Sequence, residues 1–247
     1  MVASFTFNGT NLEQYGLEIN RILSPFRFEP KYAQLADRAY GFRALRLGKN
    51  IRVTGYVYAN NSEDLLTKLD AIQAVLNVPQ VAALTFDHQP DRYWLAQFES
   101  FSGPFTGIGA YEVEINFYAP DPMAYAISET ISTLPVNTDP WTGTLQVGGT
   151  APAAPIYTLT VGSAPYGSKI QFSNQKTSQT LILNQAPSAG DKYVIDTVRW
   201  LVLKNGVPAM KVVEGQFPFA KPGSNTLSLS GAGAGATLKV QYYARFV

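Results

Sequence analysis

Apolar and polar residues alternate with a period of two through most of the chain, the pattern of strands that bury one face. Phe5 and Phe7 alternate with Ser4 and Thr6 ahead of Asn8-Gly9, a dipeptide that supplies the positive φ angles of a tight turn, so a short hairpin opens the fold. Ile51, Val53, Gly55 and Val57 alternate with Arg52, Thr54, Tyr56 and Tyr58, and Tyr111, Val113, Ile115 and Phe117 alternate with Glu112, Glu114, Asn116 and Tyr118. Both runs predict long strands. Between Val81 and Phe101 two aromatic and aliphatic runs flank Asp87-His88-Gln89-Pro90-Asp91, whose proline and acids suit a turn, and a second hairpin is expected there. One segment has another period. After Asn60-Asn61-Ser62 the residues Leu65, Leu69, Ile72 and Leu76 recur at helical spacing, with Glu63 and Asp64 placed to complement the helix dipole. Asn61 or Ser62 can cap this helix and Pro79 prevents much extension past Asn77, so a single long helix is predicted near Ser62 to Leu76, with an apolar stripe that needs a sheet to cover.

From about Ser128 to Pro155 the chain turns rich in Thr, Pro and Gly, which predicts a domain boundary with a linker at about 128–140. Short alternating runs follow near Ile156 to Val161, Lys169 to Phe172, Thr180 to Leu183, Tyr193 to Asp196, Trp200 to Leu203, Leu227 to Leu229 and Leu238 to Phe246. Separated by turns such as Asn205-Gly206, they suggest an antiparallel sandwich. The fold class is therefore mainly β with one helix, divided into residues 1–130 and 131–247.

Composition narrows the chemistry. At 247 residues and 46% apolar content the chain can bury one large or two modest cores. It has no cysteine, which removes disulfides, thiolate ligands and thiol nucleophiles. The opening residues resemble no signal peptide, and charges interrupt every later apolar stretch, so a soluble chain made in the cytosol and not inserted in a membrane is expected. A net charge of +1 hides strong segregation. Arg21 to Arg52 carries eight bases against two acids, Val53 to Asp139 two bases against eleven acids, and the remainder from Pro140 nine bases against three acids.

Few residues could do catalysis. His88 is the only histidine, which excludes a multi-histidine metal site, and its place in the Asp87–Asp91 turn suits a solvated loop residue better than a ligand set with those two acids. Glu112 and Glu114 lie two apart on one strand and point the same way, whereas a glycosidase pair must flank the scissile bond. Gly231-Ala232-Gly233-Ala234-Gly235 lacks the strand, helix and lysine context of a phosphate loop and reads as a flexible connection between the last strands. No catalytic, metal or cofactor-binding residue is expected. The basic stretch also holds Phe26, Phe28, Tyr32, Tyr40 and Phe42. Single-stranded nucleic-acid binding, a solvated arm and a subunit interface all fit that interleaving, and the interface fits best because aromatics and arginine are enriched at interfaces.

The order of several short motifs resembles the distal tail proteins of siphophages. Phe7-Asn8-Gly9, Tyr15-Gly16-Leu17 and the run Ile115-Asn116-Phe117-Tyr118-Ala119-Pro120-Asp121-Pro122 resemble that family's amino-terminal domain. Pro155-Ile156, Tyr193-Val194-Ile195-Asp196-Thr197, Gly215-Gln216-Phe217-Pro218 and Gly223-Ser224-Asn225-Thr226 resemble its carboxy-terminal galectin-like sandwich. The resemblance implies a structural virion protein, assembled in the host cytoplasm, that forms a hexameric ring at the end of the tail. Its partners would be further copies of itself, the tail tube protein and a hub or tip protein, with DNA passing through the ring unbound. Nothing in the chain is long enough for the receptor-protein arm that some members carry. For closing such a ring, Arg38, Arg43 and Arg46 on one subunit are candidates to approach Glu112 and Glu114 on the next, with Tyr32, Tyr40 and Phe42 supplying buried area. A carbohydrate-binding module is the alternative, with Trp141, Trp200, Tyr242 and Tyr243 as the aromatics that could meet sugar rings.

Overall fold

A computed structural model describes residues 4–23, the backbone of strand segments 28–29, 32–35, 38–41 and 45–46, and residues 48–103, 109–163 and 165–247. The chain forms two compact units, Met1–Ala124 and Tyr125–Val247. Among the described residues both are built of antiparallel strands, and α1 (Ser62–Leu76) is the single α-helix.

The first unit opens with β1 (Phe5–Phe7) turning into β2 (Thr10–Asn11) through Asn8 and Gly9, which take φ of 49° and 80° as a two-residue hairpin turn requires. After β3 (Leu17–Leu23) come four short strands, β4 (Phe28–Glu29), β5 (Tyr32–Leu35), β6 (Arg38–Gly41) and β7 (Leu45–Arg46). They are followed by β8 (Lys49–Tyr58), β9 (Ala82–Phe86), β10 (Arg92–Ser102) and β11 (Ala110–Ala119). Strand β8 lies between β3 and β11, and β11 between β8 and β10. The early part of β10 pairs with β9, which pairs with β1, so the Asp87–Asp91 turn does close a hairpin. Alternation places Ile51, Val53, Val57, Val113, Ile115 and Phe117 on one face, where Phe5, Phe7, Phe86 and Trp94 join them. Phe117 meets Phe7 with ring centroids 5.1 Å apart and Phe5 edge-on at 5.7 Å. Helix α1 buries Leu65, Ile72 and Leu76, as its periodicity requires. The Asn61 side chain accepts from Asp64 N at 2.9 Å, and the Asp64 carboxylate returns to Asn60 N at 2.9 Å, a reciprocal cap.

The second unit consists of two sheets around one core. In the first sheet β12 (Ala124–Val136), β22 (Ala236–Phe246), β14 (Ile156–Thr160), β17 (Lys192–Asp196), β18 (Leu201–Lys204) and β19 (Val207–Pro208) follow in that spatial order. In the second, the order is β13 (Trp141–Val147), β21 (Gly223–Ser230), β15 (Ile170–Asn174), β16 (Gln179–Leu183) and β20 (Val213–Gly215). Tyr157, Leu159, Tyr193, Ile195 and Val240 from one sheet meet Ile170, Phe172, Leu181, Leu227 and Leu229 from the other. The rings of Tyr157 and Phe172 pack edge-on at 4.7 Å. Strands β12 and β13 occupy most of the Thr-, Pro- and Gly-rich stretch that composition alone marks as a boundary.

Candidate functional site

The basic stretch folds back on itself. Strand β4 pairs with β7, Phe28 opposite Arg46, and β5 pairs with β6, Tyr32 opposite Gly41 and Leu35 opposite Arg38, so the four strands form two antiparallel pairs, one nested within the other in sequence. Tyr32, Arg38, Tyr40 and Arg46 lie on its strands, while their side chains, together with Phe42 and Arg43 altogether, lie outside the described residues.

Glu112 and Glu114 are fully placed. They belong to the face of the β3–β8–β11–β10 sheet that is turned away from the aromatic core, because Val113, Ile115 and Phe117 take the core side. Register assembles that face in rows. Glu18, Tyr56 and Glu112 form one, Arg21, Thr54, Glu114 and Ser102 the next, and Arg52, Asn116 and Ser100 a third. The result is a polar surface of half-exposed and exposed side chains on strands whose other face carries the core. Thr54 donates its hydroxyl to Asn20 Oδ1 at 2.8 Å, and Asn116 Nδ2 donates to Ser100 Oγ at 3.1 Å and to Glu114 Oε1 at 3.0 Å. Arg52 stands 3.4 Å from Glu114, a half-exposed pair of the kind that contributes about 0–1 kcal/mol. Glu114 therefore already has a guanidinium and an amide within its own chain, which reduces what it can lend to another copy. The two glutamates share a direction, and no opposed pair of carboxylates for glycoside hydrolysis results.

Other candidates are placed as follows. His88 is exposed in its turn, with its ring 5.6 Å from that of Phe86. Trp141 and Tyr242 belong to the core of the second unit, at 9% and 4% exposure, so neither can stack on a sugar. Trp200 and Tyr243 are exposed.

The glycine-rich segment corrects the sequence reading, which treats it as a flexible connection. Gly231, Ala232 and Gly233 are buried, and the Asp139 carboxylate accepts from Gly231 N and from Gly233 N, each at 2.8 Å. Gly231 has φ of 84°, and a Cβ there would run into the Lys169 carbonyl. The amides a phosphate would need are held by the protein's own anion. Asp139 is a residue that sequence reasoning missed, since nothing local to Asp139-Pro140 points to a loop more than ninety residues away.

The motif residues prove structural in the same way. Asp121 Oδ1 accepts from Met123 N at 3.1 Å. Asn225 is fully used, with Oδ1 accepting from Lys221 N and Asn174 Nδ2 and Nδ2 donating to the carbonyls of Lys221 and Gly223. Tyr157 donates its hydroxyl to Pro218 O at 3.0 Å, and burial raises its pKa far above that of a free phenol.

Comparison with known proteins assigns this architecture. Residues 47–119 match the phage tail protein RIFT-related domain, and residues 148–246 match the siphovirus-type tail component, C-terminal domain. The chain belongs to the siphophage distal tail family. Membership makes it a structural component of a phage tail, in a family that is not one of enzymes. Among solved structures, the distal tail protein of phage SPP1, described as a paradigm of the hub adsorption apparatus in phages infecting Gram-positive bacteria, is 15% identical over 100% of both chains with a TM-score of 0.79. At that identity the likeness establishes a shared fold. A chain of the activated phage p2 baseplate is 9% identical over 100% of both chains with a TM-score of 0.48, too low to support an argument. No curated protein matches the chain in sequence.

Proposed function

We propose that this distal tail protein closes into a ring, six copies in the family's arrangement, at the far end of a siphophage tail, joining the tail tube to a hub or tip protein around an open channel. In this reading the first unit forms the ring and the second is a galectin-like sandwich. The observation that carries it is the polar face of the β3–β8–β11–β10 sheet, since folding of the unit does not require that face to be covered. A head-to-tail ring needs two different surfaces on each copy, and the paired strands β4–β7 and β5–β6 carry the second. Arg38, Arg43 and Arg46 then approach Glu112 and Glu114 of the next copy, with Tyr32, Tyr40 and Phe42 carrying most of the affinity, because exposed ion pairs contribute little.

The test is charge reversal. Glu112→Lys with Glu114→Lys is expected to slow or abolish ring assembly without unfolding the protein, and adding Arg43→Glu with Arg46→Glu to the same chain is expected to restore it in part. Rings of normal yield from the first double variant would overturn the interface.

A further inference from the structure

The turn that leaves β17 is built to hold large side chains in water. Asp196 ends the strand and folds its carboxylate back, Oδ1 accepting from Val198 N and Arg199 N at 2.9 Å each. Thr197 is buried and donates its hydroxyl to Pro155 O at 2.7 Å. These bonds fix the turn from inside. Trp200 then takes φ of 56°, the left-handed region that a bulky residue avoids unless its surroundings impose it. Its indole rests edge-on against Phe217 and Phe219, with centroids 5.5 Å away in each case. Trp200 is nevertheless 56% exposed, beside Val198 at 63%. Arg199 lies between them in sequence, its side chain 79% exposed, and its ion pair among the described residues is a long 3.9 Å approach to Asp196. Tryptophan and arginine are the residues that dominate interface hot spots, and a turn rigid before binding loses less freedom when it docks.

The first unit has a recess of matching chemistry. Phe98 and Phe101 stand opposite Phe117 and Ile115 and so belong to the core side of the sheet, yet both are only half-buried. With Ala74 of the helix they line an open cavity of about 540 Å³, rimmed by Asp70 and by Glu99. Glu99 is the extra residue of a β-bulge between Phe98 and Ser100, the device that re-aims a side chain out of a regular strand. The lining is mixed, with Gln73, Asn77 and Ser100 beside the two phenylalanines and the alanine, and the volume lies within the range, roughly 300–1,000 Å³, that takes a ring-sized group. Its two carboxylates complement a guanidinium carried beside the indole.

We infer that Trp200 and Arg199 of one copy dock into the Phe98–Phe101–Ala74 recess of the next, with the guanidinium between Asp70 and Glu99. The inference rests on the ring reading and adds to it a second head-to-tail contact, one that ties the sandwich of each copy to the helix side of its neighbour. The indole supplies affinity and the charges fix register.

The absence of cysteine makes a direct test possible. Arg199→Cys and Glu99→Cys variants of different tag mass are purified reduced, mixed at a concentration where the wild-type chain assembles, and oxidised with oxidised glutathione. The expected product is a disulfide-linked pair containing one of each, in clear excess over the self-linked pairs. Adding Trp200→Ala to the first variant should lower the yield roughly tenfold or more. In the cysteine-free chain, Arg199→Glu should weaken assembly and Glu99→Arg in the same chain should restore it. Rings that form normally while the mixed pair stays at the level of the self-linked ones would overturn this contact and leave the ring reading standing. A wild-type chain that stays monomeric at every concentration would overturn both.

Discussion

The two units use their polar residues in opposite ways. In the second, polar side chains turn inward and close loops: Asp139 clamps the glycine-rich segment, Asn225 uses both donors and both acceptor positions, and Thr197 is buried against Pro155. In the first, the equivalent residues stand on an open sheet face, where Glu18, Thr54, Glu112, Glu114 and Asn116 contribute little to the core beneath them. Removing a buried partner leaves an unsatisfied group in a low dielectric, whereas water replaces a lost partner on an open face. Side chains of the second unit are thus mostly committed to its own stability, and the first unit keeps a surface available for assembly.

The largest effect that sharpens this contrast is expected at Gly231. Gly231→Ala combines a left-handed φ with a collision against the Lys169 carbonyl and should cost about 3 kcal/mol or more, read as a lower melting temperature. A melting curve like that of the wild type would mean that the clamp by Asp139 is not structural. Next comes Asn225→Ala, which strips partners from Asn174 and from the backbone of Lys221 and Gly223 and should cost about 2–3 kcal/mol in chemical denaturation. The pair of Asp191 and Lys204, 2.8 Å apart, should contribute on the order of 1 kcal/mol. Lys204 holds the Asp191 carboxyl below the usual range, and Asp191 holds the Lys204 ammonium above it. Because the acid's folded pKa is depressed, its contribution is present above about pH 4 and lost as pH falls through the lowered value. The raised lysine contributes below about pH 10 and loses that contribution as pH rises through its folded value. Asp191→Asn should flatten the acid side of the stability curve, and an unchanged slope would deny the pair its role. The smallest effect is expected on the open face, where Glu112→Lys with Glu114→Lys should shift monomer stability by less than about 1 kcal/mol. A loss as large as that at Asn225 would erase the distinction between the two units.

Much of this fold was readable in the sequence because it rests on local signals. Period-two alternation placed β8 and β11, Asn8-Gly9 placed the first turn, and the capped stripe from Ser62 to Leu76 placed the helix residue for residue. Strands β12 and β13 escaped because threonine, proline and glycine dilute their alternation, and the partners that make them strands lie about a hundred residues away in β22 and about eighty away in β21. The same distance in sequence concealed the clamp on Gly231 and Gly233. The candidate interface was readable only as charge and composition. That is why the Arg52–Glu114 pair, which depends on the register of β8 against β11, could not be anticipated, nor could the recess between Phe101 and α1.

The most direct test of the central claim is electron microscopy of the purified protein across a range of concentrations. Closed rings with an open centre, of one diameter and symmetric within the plane, are the predicted result, and their number should fall for Glu112→Lys with Glu114→Lys. Monomers alone, or open filaments with no closed form at any concentration, would contradict the account.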